Sequence, residues 1–270
     1  VNTKENVGGE NALKESQLHP EAVRKLFSET SEEYATLFLP KKTGKNFIFL
    51  KRLALATATA REVSGGLFDC ATGSGEITAA ALAAGNFQQA TVLDLSANML
   101  ELSSTRIKEE TAIGKRAGAA EFVCDNFFHF APLNSERKYD LILCLGLIAH
   151  TGRLPELLTC LRKMLSPNGV ILLQTTLLDH PGTRIERALS SKRYFQKHGY
   201  WINYFNKRDI EAAVAEVGLK IKQCRRFGLG VPFGDRVWAW GNYHLERLCR
   251  GLTGSHGAEA IYVISANVHA

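Results

Sequence analysis

The stretch that decides the fold is Leu67–Glu76, LFDCATGSGE. An apolar run ends in an acid, a Gly73-Ser74-Gly75 turn follows, and the Ala-rich Ile77–Ala84 reads as a helix. Glycine lets a backbone turn sharply and lets a ligand come close. A lone G-x-G is weak evidence, because many structural turns share it. Thr78 stands where a dinucleotide-binding loop carries its third glycine.

Outward from this turn the chain alternates. Gly66–Cys70, Ala90–Asp94, Ala120–Cys124, Tyr139–Leu145 and Val170–Thr175 read as strands. Ala97–Ile107 and Leu154–Leu165 read as helices, and Pro167-Asn168-Gly169 as a turn. Strands apolar nearly throughout belong in a parallel sheet covered on both faces, and right-handed crossovers make it doubly wound. Lys207–Val217 reads as a helix, Leu219–Arg226 as a sixth strand, and Ala260–Ala266 as a seventh, with a helix expected within Pro232–Gly251. The expectation is an α/β fold with a doubly wound, mostly parallel, seven-stranded sheet. Upstream, residues 20–38 (Val23, Leu26 and Phe27 on one side) and 44–62 read as helices, and the first ~18 residues as mobile. Residues 179–206, basic and aromatic, read as an inserted lid after strand five.

Composition sets outer limits. The chain has 270 residues, 45% apolar and 22% charged, an ordinary globular mix. It contains no apolar run of about 18 residues, so no membrane span is expected. Residues 1–180 carry 19 Lys/Arg against 20 Asp/Glu, and residues 181–270 carry 14 against 7. That positive end suits an anionic small molecule, an acidic carrier protein or a polyphosphate, or is simply a solvated basic surface. The cations are scattered without an aromatic platform, which argues against nucleic acid. The six cysteines form no C-x-x-C pair, so no metal site is expected. Cys70, Cys124 and Cys144 fall in apolar strands as small hydrophobes, and the reading is a reducing, cytoplasmic compartment.

Two acids complete the pattern. Asp94 closes a strand 19 residues after Gly75, where an acid can accept hydrogen bonds from both ribose hydroxyls. Asp125 follows the next strand, placed to meet an adenine amino group. Together with the Leu95, Ser96, Met99, Leu100 segment and the Pro167-Asn168-Gly169 turn, these residues resemble the class I S-adenosylmethionine-dependent methyltransferases over about residues 66–176. Two positions depart from the family pattern: Ala71 stands for its usual first glycine, and Asn168 for another.

The resemblance implies S-adenosylmethionine as methyl donor and a role for each residue. The backbone at Ala71, Gly73 and Gly75 would follow the methionine part, and Asp69 would bind its ammonium group, directly or through water. Asp94 would hold the ribose. Asp125 and Asn126 would face adenine between Leu95, Met99 and Phe127, with Leu145 and Gly146 near the methyl group. Residues 1–43 would form an N-terminal segment covering the cofactor, with Tyr34 reaching the donor, and residues 44–270 the methyltransferase domain. Tyr34 is equally readable as a core tyrosine. His150, just past strand four, is either a general base or a residue holding its loop by hydrogen bonds. In the lid, Tyr194, Tyr200, Trp201, Tyr204 and Arg184 would shape the acceptor pocket, or else simply pack an amphipathic helix on the sheet. The leading function is methyl transfer to a hydroxyl of a small-molecule acceptor, with an anionic group among the expectations. The alternatives are an N- or C-methyltransferase, or a silent cofactor-binding sensor. Both monomer and homodimer stay open.

Overall fold

The computed structural model describes residues 20–33, 47–114, 119–231 and 239–267. Its elements are α1 (Pro20–Glu29), α2 (Phe47–Ala60), β1 (Ser64–Asp69), α3 (Glu76–Ala84), β2 (Asn86–Asp94), α4 (Ala97–Gly114) and β3 (Ala119–Cys124). There follow α5 (Phe127–Leu133), β4 (Tyr139–Leu145), α6 (Leu147–Thr151), α7 (Leu154–Met164), β5 (Leu165–Thr176) and α8 (Pro181–His198). The chain continues through α9 (Lys207–Glu216), β6 (Leu219–Phe227), α10 (Ala239–Leu248), α11 (Arg250–His256) and β7 (Glu259–Ala266).

The strands form a single seven-stranded sheet in the order β3-β2-β1-β4-β5-β7-β6. β7 pairs antiparallel with both β5 and β6, and the other pairings are parallel. Successive residues of one strand serve opposite faces. Leu67, Leu141 and Leu143 pack into one core with Leu82, Val92 and Leu172, while Phe68, Ile142 and Cys144 pack into the other with Leu157, Leu161 and Tyr262. Burial on both faces is why β4 reads as an almost unbroken apolar run. The Tyr139 hydroxyl is satisfied inside this core by Thr91 Oγ1 at 2.9 Å.

The helices follow local chemistry. In α7, Leu154, Leu157, Leu158, Leu161 and Met164 are buried at spacings of three and four. Pro155 sits in its first turn, where a missing N–H costs nothing, and Arg162 and Lys163 complement the dipole in its last. Asn126 caps α5, its side chain accepting the Phe128 N–H at 2.9 Å.

Several expectations change. α5 and α6 are helices that the sequence reading leaves unassigned, being too short to show periodicity. Most of 179–206 is one 18-residue helix, α8, followed by a segment bridged to Leu177 through Phe205. The 167–169 turn is an irregularity inside β5: Tyr139 pairs with Leu165 but Leu141 with Val170, so the intervening residues loop out of register. Cys70 and Cys144 are buried as expected, but Cys124 is exposed, because its strand lies at the sheet edge. α1 ends at Glu29, and the expected mobile segment, residues 34–38 of the first helix, residues 44–46 of the second and the 43/44 boundary lie outside the described residues.

From β1 the chain runs outward to β2 and β3, then returns to β4 on the other side of β1. The crevice beyond the carboxyl ends of β1 and β4 is the switch point where such sheets bind ligands.

Candidate functional site

A cavity opens at that crevice. Its floor is Cys70, Ala71 and Gly73 after β1, and Asp94 and Leu95 after β2. Asp125, Asn126, Phe127 and Phe128 follow β3, and Leu145, Gly146, Leu147, His150, Thr151 and Arg153 follow β4. Pro20, Val23 and Phe27 of α1 form the roof. α1 is tied down on α4 and its approach: Ser28 Oγ lies 3.0 Å from Ser96 Oγ, and Asn98 Nδ2 donates to the Ser28 carbonyl at 2.9 Å.

Asp94 is the best-defined group of the floor. One carboxylate oxygen accepts the Gly73 N–H at 2.8 Å and the other the Ser96 N–H at 2.9 Å. Each oxygen keeps lone-pair capacity for a further donor. The side chain thus joins the glycine turn to the start of α4 while presenting an acceptor to the cavity. Burial pushes its pKa up to about 6, against the three backbone N–H groups of Ser96, Gly73 and Leu95, which lower it. Asp125 accepts the Asn126 N–H at 2.7 Å and meets His129 Nδ1 at 2.7 Å.

Ten sequence-predicted residues therefore share this wall: Ala71, Gly73, Asp94, Leu95, Asp125, Asn126, Phe127, Leu145, Gly146 and His150. Three others do not reach it. Asp69 is 4% exposed and faces inward, accepting from Thr78 Oγ1 and, at 3.2 Å, from the Ala71 N–H. It fastens the turn from beneath rather than facing the cavity, and burial pushes its pKa up to about 6. Gly75 has φ +83, and a β-carbon there would lie 2.6 Å from Ser103 Oγ and 2.7 Å from its Cα. Close packing of α3 against α4 is what that glycine serves. Met99 is fully buried in α4 and does not line the cavity. Tyr34 lies outside the described residues.

The lid residues also move. Arg184 is exposed and donates to the Leu178 carbonyl at 3.1 Å, away from the cavity. Trp201 stacks on Phe195 with centroids 4.6 Å apart. Tyr204 is partly buried, and its hydroxyl pKa is pushed up to about 12 by that burial and by Glu186 and Glu259. None of Tyr194, Tyr200, Trp201, Tyr204 and Arg184 lines the cavity itself. Tyr200 nonetheless touches it indirectly, since its hydroxyl lies 3.0 Å from His150 Nδ1.

Sequence reasoning passed over Phe128, Thr151 and Arg153. Two of them flank known markers, Phe127 and His150, and that adjacency was the available signal. Arg153 lies over the Phe128 ring at 4.0 Å and is paired with Glu156. The Thr151 hydroxyl is buried without a hydrogen-bond partner among the described residues. His150 is held neutral, its pKa lowered to about 4 by burial and by the positive charge of Arg52.

This inventory suits a nucleoside. Carboxylates can take its ribose hydroxyls, and Leu95, Phe127 and Phe128 can wall its base. It does not suit a pyrophosphate, because two acids face the cavity and Arg153, its one lining arginine among the described residues, is already paired. No group of three or more metal-ligating side chains exists among the described residues. No helix among them is long and apolar enough to cross a membrane.

Comparison with known proteins agrees. A family profile described as a methyltransferase domain matches residues 42–223. Among solved structures, a cyclopropane synthase of Mycobacterium tuberculosis superposes with TM-score 0.56 at 16% identity, covering 93% of this chain and 97% of its own. A SAM-dependent methyltransferase of Thiobacillus denitrificans, complexed with S-adenosyl-L-homocysteine, gives 0.55 at 17%, covering 86% and 98%. The N-methyltransferase NodS of Bradyrhizobium japonicum gives 0.55 at 12%, covering 90% and 99%. At such identities these likenesses carry the fold alone. No curated protein matches the chain in sequence.

Proposed function

The chain belongs to the methyltransferase-domain family, in the class I fold of S-adenosylmethionine-dependent enzymes, and from that membership we propose that its cavity binds S-adenosylmethionine and directs the methyl group to a hydroxyl oxygen of a small-molecule acceptor. The observation that carries the reading is Asp94: a buried acid at a strand end, its two oxygens braced by Gly73 and Ser96, facing an apolar slot.

When bound, the donor supplies an electrophilic methyl carbon on its sulfonium, and the acceptor oxygen takes that carbon as the carbon–sulfur bond breaks. The protein's part is positioning and exclusion of water. In this reading Asp94 accepts from the ribose, and Asp125 and Asn126 meet the adenine edge between Leu95, Phe127 and Phe128. The backbone at Ala71, Gly73, Leu145 and Gly146 brackets the donor's tail. Asp69, turned inward, keeps the shape of the turn and does not meet the ammonium group directly. α1 closes the site from above.

Oxygen is favoured as the acceptor atom by His150 and Thr151. His150 puts an imidazole on the cavity wall that can accept from a hydroxyl, and the buried Thr151 hydroxyl, without a partner among the described residues, lacks the partner that an acceptor would bring.

Calorimetric titration with S-adenosylhomocysteine tests the donor site. Asp94→Ala is expected to weaken binding by about 1–3 kcal/mol, and unchanged affinity would remove the ribose role. Incubation of cell extract with radiolabelled donor then tests turnover. Tight donor binding with no labelled product would favour a sensor over an enzyme.

A further inference from the structure

Behind His150 the cavity wall continues into a short line of hydroxyl groups. Tyr200 Oη lies 3.0 Å from His150 Nδ1, and Tyr194 Oη lies 2.7 Å from Tyr200 Oη. The rings are fixed. Phe27 meets the His150 ring edge-on at 5.0 Å, and the Tyr194 and Tyr200 rings stand perpendicular at 5.5 Å. Tyr200 is 2% exposed, so it has little room to turn away.

The backbone holds this line together. Tyr200 follows the end of α8, some fifty residues beyond His150 on α6. Asn203 joins the two, its N–H donating to the Ala149 carbonyl at 2.8 Å and its side chain to the same oxygen at 3.1 Å. That oxygen belongs to the residue beside His150. An imidazole has one donor and one acceptor nitrogen when neutral, and the partner of one nitrogen decides the task of the other. Nδ1 is engaged by Tyr200. Nε2 makes no hydrogen bond among the described residues, and His150 lines the cavity.

We propose that Tyr200, backed by Tyr194, is a positioning residue that holds His150 in its Nδ1–H form, leaving the Nε2 lone pair to receive the proton of an acceptor hydroxyl. The Nδ1–H donates to Tyr200 Oη, and the Tyr200 hydroxyl in turn donates to Tyr194 Oη. The proton leaving the acceptor goes to Nε2, and passes to water when the methylated product leaves. This rests on the methyl-transfer reading above, and it moves Tyr194 and Tyr200 from substrate contact to support of the base.

The test is a long-range proton–nitrogen NMR correlation on protein labelled with nitrogen-15 histidine, recorded near neutral pH with and without S-adenosylhomocysteine. His150→Gln assigns the ring signals by their loss. In the unaltered protein His150 is expected to show a protonated Nδ1 and a bare Nε2. Tyr200→Phe is expected to reverse or average the two signals, with Tyr194→Phe giving a smaller change in the same direction. A protonated Nε2 in the unaltered protein overturns the proposal, as does a Tyr200→Phe spectrum with the original tautomer. The first of these outcomes needs no variant to fold. Failure of the nucleoside to bind would instead sink the donor-site reading, while the ring signals still report on the tautomer.

Discussion

Asp94 is both a structural brace and a ligand group, and its ionised form serves the two together. Its pKa, about 6 in the folded protein, lies above the ordinary 3.8. A carboxyl raised in this way makes its full contribution to stability below about pH 4, and that contribution is lost as pH rises through about 6. A ribose whose hydroxyls both donate to the ionised form reverses the balance in the complex. S-adenosylhomocysteine affinity is therefore expected to rise with pH up to about 6 and level off above. Calorimetry at a series of pH values would reveal it, and a flat profile from pH 5 to pH 8 would remove the direct contact. Gly75 gives a contrasting prediction. Gly75→Ala forces a β-carbon against the Ser103 backbone at a positive φ, so it is expected to destabilise by about 1–3 kcal/mol. Denaturant unfolding would show this, and an unchanged midpoint would mean that α3 and α4 can part at no cost. Asp94 was legible in the sequence because an acid closing an apolar strand has few structural reasons to be there. Asp69 and Met99 were not, because sequence gives a residue's place along its element but not which way the side chain faces once the neighbours have packed.

At the scale of elements, α1 stands apart from the strand–helix core. None of its residues is fully buried, and three of them roof the cavity. It contributes more to the ligand than to the fold. Phe27→Ala is accordingly expected to weaken nucleoside binding several-fold while moving the thermal midpoint little. A large fall in the midpoint would instead make α1 a structural element. The core was readable because β1 to β5 repeat one pattern: an apolar strand, a turn, and a helix with one apolar stripe. α5 and α6 escaped because seven and five residues are too few to show a period of 3.6. The aromatic run of 179–206 was visible as composition, but its contacts were not. They depend on where α8 ends, at Gly199 with φ +77, and on the Asn203 bonds to α6 that follow.

At the scale of the molecule, cavity and fold are one object, since β1, β2, β3 and β4 each end at the cavity. Ligand bound at one hundred times its dissociation constant should add about 2.7 kcal/mol to stability. For a domain of this size that is a rise of about 5–10 °C in the thermal midpoint. Differential scanning calorimetry with S-adenosylhomocysteine is expected to show this rise as a shift of one transition, and Asp94→Ala should reduce it. No shift at saturating nucleoside would place binding elsewhere or nowhere. The fold alone does not choose the acceptor, because its structural likenesses include a cyclopropane synthase and an N-methyltransferase.

The direction of β7 has a practical consequence. It begins at Glu259 beside Thr176, at the edge of the sheet where the cavity opens, and runs back to Ala266 beside Leu219, at the opposite edge. A label attached at Asn267, which is exposed, would therefore stand at the sheet edge away from the opening. A protein held on a chip through that label would face its opening toward the passing solution, whereas a label at the Glu259 end of the strand would crowd the entrance.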